Sequence, residues 1–526
     1  MYLEVKSAMI SDFPIIAALS DIILTIFQRE VTHLWGVMHM EFFGMIAKGM
    51  MAYADFVWGW PLLIGTSFVA VFMSVRLGFF QFTYFGHVMK NTFGKIFDKG
   101  SGDGNIKPFK AACTALASTL GVGNIAGVSV AIATGGPGAV FWMWFIAMLG
   151  LIVKFSEVTL GLAYREKDPV SGVWHGGFPW YVKNALGKNW RWLSVLWAVV
   201  MAAGMMFAPS IQAAEISNAI NTAFAINPYV VGITVAVLMA AVLLGGLKSI
   251  SNFANLVVPF MAVIYIIGAI FVMITNASMI PQAFALIFED AFTGTAASGG
   301  FAGSTVMLAV RWGLARGIYS NEAGTGTAPL AHSSASVNHP VKQGLWGIFE
   351  VFFDTIVVCT MTAMVVMTSG LWNTGISGAA LTTAGFSTAF GSVAAGAVFI
   401  SIIITFFAFT TCVVNIYYGG ICLNSLGLEG AWIKIYYAIG CAWAVVGAIG
   451  AAKTLWSTFD FFYGTCVICN LIVVFLLSGK VKILVDDYKQ RLKDGKWDAS
   501  AADCVARLGI WRDEVTLAAE KEAENK

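Results

Sequence analysis

Charged residues are scarce in this chain: Asp, Glu, Lys and Arg make up 11% of its 526 residues. Because a soluble globular domain carries about 25% charged residues, this scarcity excludes an ordinary soluble protein. Hydrophobic residues make up 58% of the chain, and the mean hydropathy is +0.78. Several apolar windows exceed the roughly 18 residues that indicate a transmembrane helix. We therefore predict an all-α polytopic membrane protein embedded in a lipid bilayer.

The sequence also lacks the residue patterns of enzymes and metalloproteins. Its six histidines show no metal-ligand spacing, and the motifs H-E-x-x-H and G-x-S-x-G are absent. Cys466 and Cys469 form a C-x-x-C pair, but within an apolar helix such a pair is expected to pack rather than to bind metal or to do redox chemistry. We expect neither enzymatic activity nor an organic cofactor.

From Phe56 onward, about eleven apolar windows predict membrane spans. They cover residues 56–75, 110–134, 136–164, 192–220, 229–247, 254–275, 300–330, 343–368, 392–418, 431–451 and 456–478. The predicted parts are an extracytoplasmic or interfacial extension (1–55), an extra transmembrane helix with a basic cytoplasmic loop (56–109), a first five-helix repeat (110–275), a second five-helix repeat (276–478) and a charged cytoplasmic tail (479–526).

Lys and Arg concentrate on alternate loops, which orients the predicted spans by the positive-inside rule. Residues 76–110 hold six of them, residues 165–191 hold five, and loops 221–228, 276–299 and 369–391 hold none. The tail after residue 479 holds ten basic and ten acidic residues. We expect a multi-pass protein of the cytoplasmic (inner) membrane with its C-terminus in the cytoplasm and no nucleic-acid role.

The window 110–134 is interrupted by Gly121-Val122-Gly123-Asn124. Each glycine weakens a helix by about 1 kcal/mol relative to alanine, and the freed backbone groups of a broken helix need partners inside the protein. Such a break at mid-membrane depth is typical of a site for an ion or a charged solute. Alternatively, Gly123 and Gly127 form a G-x-x-x-G pair that lets another helix pack closely.

A second break lies near residues 320–326. The span that begins at Gly300 must continue past Arg311, because eleven residues are too few to cross. Arg316 and Glu322 are thereby placed in or near the membrane, where ionisable groups are costly and face a cavity or each other. A structural ion pair between them is favoured here over a direct role in substrate binding.

Two further carboxylates, Glu350 and Asp354, are i,i+4 neighbours on one predicted helix face. They could carry protons or cations, or they could pack against Arg316. With Arg316 and Glu322 they form a predicted intramembrane charge network.

Without the first span, ten spans remain as two sets of five, and the first helix of each set is broken. Five spans between the breaks force opposite orientations of the two sets. Inverted five-helix repeats with broken first helices are the arrangement of LeuT-type transporters.

A series of motifs between residues 56 and 485 occurs in a characteristic order. The motifs are G-V-G-N-I-A-G-V (Gly121 to Val128), G-G-P-G-A-V-F-W-M-W (Gly135 to Trp144), K-F-S-E with Y-R-E (Lys154 to Glu166), V-P-F-M-A (Val258 to Ala262), S-N-E-A-G-x-G (Ser320 to Gly326), H-P-V-K-Q-G (His339 to Gly344), F-x-D-T (Phe352 to Thr355) and F-A-F-T-T (Phe407 to Thr411). In residues and order they resemble the alanine or glycine:cation symporter family, a LeuT-fold group of sodium-coupled amino-acid carriers.

The resemblance implies a substrate site between the two breaks. The backbone of Gly121, Val122, Gly123 and Asn124 would bind the substrate carboxylate, helped by the Gln212 side chain. Phe207 matches the aromatic residue that precedes this glutamine. Carbonyl groups near Ile318, Tyr319 and Ser320 would receive the amino group, and Thr411 and Asn415 would also line the site.

The resemblance also implies a sodium site, with Na⁺ as the coupling ion. By similarity, Na⁺ would lie between the carbonyl groups of Ala117 and Leu120 and the hydroxyls of Thr410 and Thr411, with Phe407 beside them. Taken alone, a Thr-Thr pair in a membrane helix more often bonds to carbonyls of its own helix.

The chain departs from the family pattern at three places, the first being Phe68-Val69-Ala70, where many members carry G-T-G. The other two departures lie at the predicted site. Asn415 stands where alanine carriers tend to have a tryptophan that closes the pocket, which implies a larger or more polar substrate. Glu215 stands where the family usually has asparagine, and its carboxylate could attract a cationic group or carry a proton.

We therefore predict a monomeric symporter that imports a small neutral amino acid of the alanine or glycine type with Na⁺ by alternating access. The alternatives are a proton-coupled carrier of a larger or more polar amino acid and an ion channel. A channel filter is usually built by symmetry across subunits, whereas this chain contains both repeats itself.

Overall fold

The computed structural model describes residues 45, 48–169, 171–293, 306–497 and 499–509. The predictions for residues 1–44, for the start of the second broken span (300–305) and for the end of the tail (510–526) lie outside the described residues. Met1–Asp55 and Phe56–Lys526 form two units, and the second contains every element discussed below.

Helices account for nearly all regular structure among the described residues. In the first half they are α1 (Trp60–Arg76), α2 (Phe80–Thr83), α3 (Phe85–Asn91), α4 (Pro108–Thr119), α5 (Val128–Gly135), α6 (Gly138–Ala163), α7 (Phe178–Leu186), α8 (Arg191–Phe224), α9 (Pro228–Leu243) and α10 (Gly246–Thr275). Strands β1 (Glu166–Lys167) and β2 (Trp174–His175) pair antiparallel, with Glu166 opposite His175.

The second half continues in the same manner. Its helices are α11 (Ile280–Thr293), α12 (Val306–Asn321), α13 (Ala328–His332), α14 (Pro340–Val351), α15 (Thr360–Thr368), α16 (Ala379–Phe390), α17 (Val393–Ser425), α18 (Ala431–Val446), α19 (Ala452–Leu476), α20 (Ser478–Lys493) and α21 (Ala502–Arg507). Wider π-helical turns occupy Gly123–Gly127, Phe352–Cys359 and Gly447–Ala451.

Among the described residues, 8 helices are long and apolar enough to cross a membrane, or up to 9 when the bent pair α4 and Gly123–Gly135 counts as one span. The fold class is therefore confirmed as all-α and polytopic. The figure of about eleven spans stays a prediction, because α9 has only 16 residues and α12 begins next to residues that are not described.

The first break forms where the sequence predicted it. Pro108 stands at the start of α4, where its missing N–H costs nothing, and Leu120 (φ −75°, ψ 80°) leaves the helical conformation. The chain re-enters a helix at Gly123, and the two halves are bent by 54°. Because α4 is almost entirely buried, its broken end lies inside the protein rather than against lipid.

The second break follows α12. Glu322 adopts a left-handed conformation (φ 55°), and Gly324 (φ 95°) and Gly326 (φ 82°) follow it before α13 begins. Glycine tolerates positive φ without steric cost, whereas a glutamate there needs compensating contacts. Glu322 receives them through its carboxylate, as described below.

Small residues let α12 lie close against α6. A Cβ atom on Gly313 would lie 2.3 Å from the carbonyl oxygen of Ala139, and one on Gly317 would lie 2.4 Å from a methyl group of Ile146. Real Cβ contacts are never so short, so the approach of the two helices depends on these glycines. This packing fixes α12, and hence the second break, relative to the core.

Around this core, the outer helices expose large apolar side chains, among them Val199, Ile233, Leu256 and Ile267. A water-facing surface of this kind would be unfavourable, whereas lipid chains accept it without cost. The exposed apolar belt therefore agrees with insertion in a bilayer.

Candidate substrate and cation site

The end of α4 presents a group of carbonyl oxygens without helical donors. The N–H of Gly121 bonds to Thr119 O and to Asn124 Oδ1, the N–H of Val122 bonds to Gln212 Oε1, and the N–H of Asn124 bonds to Gly121 O. In an unbroken helix these three N–H groups would have served the carbonyls four residues earlier. The break thus leaves the carbonyls of Ala117, Ser118 and Leu120 for other partners.

Thr411 of α17 meets these carbonyls. Its Oγ1 lies 3.1 Å from Ala117 O, 3.4 Å from Ser118 O, 3.4 Å from Leu120 O and 3.1 Å from Phe407 O of its own helix. One hydroxyl proton can serve only one of four acceptors at a time. Since the Thr411 residue is 3% exposed, the cluster has an excess of oxygen lone pairs in a dry place, which is the chemistry that a small hard cation requires.

The hydroxyl of Thr410, the preceding residue, bonds within its own helix. Thr410 Oγ1 donates to Phe407 O at 2.9 Å and lies 4.0 Å from Met261 Sδ. Of the five predicted sodium-site residues, the structure brings Ala117, Leu120, Phe407 and Thr411 together around one hydroxyl. Thr410 joins them only through the shared Phe407 carbonyl.

Residues 121–124, whose backbone is predicted to bind the substrate carboxylate, donate two of their N–H groups to side-chain oxygens. Asn124 Oδ1 lies 3.0 Å from Gly121 N, and Gln212 Oε1 lies 3.3 Å from Val122 N. A Cβ atom on Gly121 would lie 2.7 Å from Thr411 Oγ1, so glycine is needed for this close approach. An anionic group of a ligand could replace the two amide oxygens at these donors.

The second break supplies carbonyls, with one exception to the prediction. Ile318 O accepts the N–H of Glu322 at 3.0 Å, so it is used within the end of α12. The N–H of Ala323 donates to Asn321 Oδ1 at 2.9 Å. The carbonyl of Tyr319 therefore lacks the donor that a continuing helix would have supplied. Tyr319 also packs beside Gly123, where a Cβ atom would lie 3.4 Å from its ring. The two breaks therefore lie next to each other.

Asn415, one helical turn after Thr411, belongs to a buried polar cluster. Ser118 Oγ lies 2.8 Å from Asn415 Oδ1 and 2.9 Å from Glu322 Oε1, and Thr327 Oγ1 donates to Glu322 Oε2 at 2.6 Å. Ser118 has one proton and two acceptors, Asn415 Oδ1 and Glu322 Oε1, so it can serve only one of them at a time. Sequence reasoning missed Ser118, because a serine in an apolar helix gives no pattern.

A second polar cluster centres on Asp354. Its Oδ1 accepts from Asn124 Nδ2 at 2.7 Å, and its Oδ2 accepts from Ser320 Oγ at 2.7 Å and from Thr355 Oγ1 at 2.8 Å. The carboxylate is fully buried and ties the first break to the second. Asp354 lies in the π-helical turn Phe352–Cys359. The α-helical spacing from Glu350 therefore could not predict which way the Asp354 side chain points.

The four charged residues predicted as one network do not form one. Arg316 lies over the rings of Trp312 and Tyr319, 5.2 Å and 5.8 Å from their centroids, and the described residues show no ion pair between it and Glu322. The α-helix that continues through Asn321 keeps the two side chains apart.

Glu350 also lies away from Arg316. Its Oε2 is 3.7 Å from Lys154 Nζ, and its Oε1 is 2.5 Å from His332 Nε2. Lys154 in turn donates to Asn321 O at 2.8 Å. This ion pair, rather than one with Arg316, holds the end of α12.

The position of Phe207 differs from the remainder of the predicted site. Its ring packs against Trp443 of α18 and Phe462 of α19, at centroid distances of 4.9 Å and 6.3 Å. Five residues on, Gln212 faces the first break. A substrate contact by Phe207 stays a prediction.

Several known proteins are similar to this chain in sequence. Residues 44–502 match the family profile described as "Sodium:alanine symporter family". The chain is 40% identical to the "Uncharacterized transporter YflA" of Bacillus subtilis (strain 168), over 83% of this chain and 92% of that protein. It is 37% identical to the "Probable sodium/glutamine symporter GlnT" of the same organism, over 84% and 90% of the two chains. It is also 37% identical to the "Sodium/alanine symporter AgcS" of Methanococcus maripaludis, over 81% and 94%.

Among solved structures, the crystal structure of MhsT in complex with L-phenylalanine is similar, with a TM-score of 0.51, 15% identity and coverage of 77% of this chain and 95% of that one. At this identity the likeness concerns the fold alone. It confirms the LeuT-type arrangement that the two broken helices predicted.

Proposed function

The chain belongs to the sodium:alanine symporter family, and we propose that it imports an amino acid together with Na⁺ through the site between its two broken helices. Its relatives are amino-acid transporters, so the chain is a multi-pass membrane carrier and not an enzyme. The coupling ion, the substrate and the direction of transport are the proposal.

The observation that carries the proposal is the carbonyl cluster around Thr411. Na⁺ would bind between Ala117 O, Leu120 O and Phe407 O, with the Thr411 hydroxyl turned so that its oxygen lone pair faces the ion and Thr410 close by. Free carbonyls at the C-terminal end of a half-helix are the groups that coordinate Na⁺ in carriers of this architecture. The half-helix dipole adds a partial negative charge at the same end.

The substrate carboxylate would bind on the other side of the same peptide. The carbonyl of Leu120 and the N–H of Gly121 belong to one peptide group, so a cation on the oxygen polarises the N–H toward an anion. Gln212 would release Val122 N and turn its amide N–H to the carboxylate. Na⁺ and substrate would therefore each bind more tightly in the presence of the other, which is the energetic requirement for symport.

The substrate ammonium group would lie at the second break. The carbonyls of Tyr319 and Ser320 end α12, where the dipole is negative, and Asp354 lies behind Ser320. The N–H groups of one broken helix and the carbonyls of the other thus suit the two ends of a zwitterion.

The substrate that the family suggests is a small neutral amino acid of the alanine or glycine type. A second candidate, a larger or more polar neutral amino acid, is favoured by Asn415, which forms a buried polar cluster with Ser118 and Glu322. Such a cluster could hydrogen-bond a polar side chain, and leaving it unpaired would disfavour an apolar one.

Transport would occur by alternating access between the two repeats. The first break packs against α17 and the second against α6 and α14, so the site lies between parts of the protein that can move relative to each other. Because one chain carries both breaks, a monomer would contain a complete site. By the positive-inside rule, the Lys- and Arg-rich loops and the C-terminal tail would lie in the cytoplasm.

The first experiment is a thermal-shift screen of the purified protein against twenty amino acids, with and without Na⁺. A ligand that binds only the folded protein raises its apparent stability. Stabilisation by alanine or glycine that requires Na⁺ supports the first candidate. Stabilisation only by a polar amino acid such as glutamine, lost in Asn415→Leu, supports the second.

Reconstituted vesicles then test coupling. An inward Na⁺ gradient should drive saturable uptake, whereas a pH gradient without Na⁺ should not. Uptake driven by the pH gradient alone would support a proton-coupled carrier, and non-saturable flux would support a channel.

A further inference from the structure

A cavity of about 820 Å³ lies between the C-terminal part of α8, helix α16 and the first turns of α17. Its lining includes segments of residues 371–393, on the side that the distribution of Lys and Arg predicts to lie outside the cytoplasm. Glu215 is the one ionisable side chain among its described lining residues.

Glu215 connects this cavity with the candidate substrate site. It follows Gln212 by three residues on α8, so the two lie on the same helix face about 4.5 Å apart along the axis. Gln212 contacts Val122 N at the first break. A solute that enters along this face of α8 therefore meets Glu215 one turn before it meets Gln212.

Five of the seven hydroxyl groups that line the cavity donate their protons to a carbonyl of their own helix at 2.8–2.9 Å, which leaves their oxygen lone pairs as acceptors: Thr222 to Asn218, Thr383 to Ala379, Ser387 to Thr383, Thr388 to Gly385 and Ser401 to Val398. Of the other two, Ser377 and Ser392, the hydroxyl of Ser392 accepts the N–H of Ala395. Lys, Arg and His are absent from the described lining. The cavity thus offers acceptors and one negative charge, and few donors.

The remaining lining is apolar, with Leu371, Ala384 and Ile404 among its members. Low-dielectric walls focus the field of a single charge and raise the local concentration of the opposite charge. A carboxylate group alone would be repelled by Glu215, whereas a group with several N–H donors and a positive charge matches the Glu215 carboxylate and the five hydroxyl oxygens that remain as acceptors.

We propose that this cavity is an outer subsite in which Glu215 binds the primary ammonium group of an amino acid before the substrate reaches the broken helices. The proposal rests on the proposed function for the identity of the solute. A primary ammonium suits the cavity better than Na⁺ does, because the acceptors are spread over a space much wider than an ion's coordination shell. Among the described residues, no group of three His, Cys, Asp or Glu could hold a metal ion.

The test uses full-length protein with a reporter thiol, Ala384→Cys, in the same cavity. Two methanethiosulfonate reagents of similar size, one carrying a trimethylammonium group and one a sulfonate, are compared for their rates of reaction. With Glu215 intact, the ratio of cationic to anionic rates should exceed the ratio in Glu215→Gln by about tenfold. Glu289→Gln, which removes an exposed carboxylate from α11, should leave the ratio unchanged. The parent chain without the reporter gives the background from native cysteines.

Ligand binding is then measured as protection of the reporter thiol. L-Alaninamide keeps the ammonium group without the carboxylate and should slow the reaction several-fold, whereas N-acetyl-L-alanine, which keeps only the carboxylate, should not. Glu215→Gln should abolish the protection, and Glu215→Asp should retain it in part. In uptake, Glu215→Gln should raise the KM several-fold and change kcat little.

Equal rate ratios with Glu215 intact and in Glu215→Gln, or equal protection by the two probes, would overturn the proposal. Both measurements are independent of transport, so a chain that bound alaninamide here and failed to carry any amino acid would refute the proposed function and leave the outer subsite standing.

Discussion

Removal of the Thr411 hydroxyl is the most direct test of the cation site. Thr411→Val keeps the shape of the side chain and deletes the oxygen that lies within 3.1–3.4 Å of four carbonyl oxygens. We expect the variant to fold, because the loss of one neutral hydrogen bond costs about 1 kcal/mol.

The expected effect on Na⁺ is larger than the effect on stability. A polar interaction with a charged group contributes about 1.5–3 kcal/mol, and each 1.4 kcal/mol changes an equilibrium constant about tenfold. The Na⁺ concentration for half-maximal effect should therefore rise roughly 10- to 100-fold. Thr411→Ser, which keeps the hydroxyl, should remain close to the native value.

The assay is the thermal stability of the purified protein as a function of Na⁺ concentration, at constant ionic strength with choline as the replacement cation. Substrate affinity at low Na⁺ should fall in the same variant, because the two ligands share the peptide between Leu120 and Gly121. The Na⁺ dependence of uptake into reconstituted vesicles gives the same comparison while the protein is transporting.

Two further threonines on α17 provide a control and a comparison. Thr405 donates to Ser401 O of its own helix at 2.6 Å, so Thr405→Val should leave the Na⁺ dependence unchanged. Thr410→Val reports whether the second hydroxyl joins the ion, and its expected effect is smaller than that of Thr411→Val. If Thr411→Val retained the native Na⁺ dependence, the site assigned to the end of α4 would be wrong.

Three other predictions concern stability. Asp354→Asn replaces an acceptor of three hydrogen bonds with an amide that turns N–H groups toward buried donors. The variant should lose about 2–4 kcal/mol of folding stability, seen as a lower midpoint of thermal unfolding. An unchanged midpoint would show that the hydrogen bonds assigned to Asp354 do not stabilise the fold. Burial lowers the pKa of His339 from 6.5 to about 4 in spite of its Asp487 neighbour, so stability is fully present above pH 6.5 and should decline as the pH falls toward 4; His339→Asn should flatten this part of the curve, and parallel curves would contradict it. Gly313→Ala places a methyl group against the carbonyl of Ala139 and should cost about 1–3 kcal/mol, whereas Gly86→Ala, with open space at its Cβ position, should not.

The local chemistry of the chain was enough to predict the fold class and the positions of the two helix breaks. Sparse charge and long apolar windows require a bilayer, since exposed apolar surface on this scale is unfavourable in water. Glycines at 121, 123, 324 and 326 mark positions where a helix is weak or where φ is positive, and both breaks form there. The resemblance in short motifs then named the family that the comparison with known proteins confirms.

The tertiary structure decided which polar groups meet. Sequence spacing suggested that Arg316 would reach Glu322 and that Glu350 and Asp354 would share a face, but α12 stays helical through Asn321 and a π-helical turn begins at Phe352. In the folded protein Glu322 meets Ser118, Asp354 meets Asn124 and Glu350 meets Lys154. No pattern along the chain encodes such partners, because they lie about 200 residues apart.

What the sequence determined by itself is therefore the environment, the breaks and the family, since each depends on composition, on single-residue conformational preference or on short motifs. What only the tertiary structure decided is the use of the freed backbone groups: the carbonyls of Ala117 and Leu120 meet Thr411, and the N–H of Val122 meets Gln212. The physical reason is that a buried polar group must find a partner wherever packing brings one, and packing joins residues that are remote in the sequence.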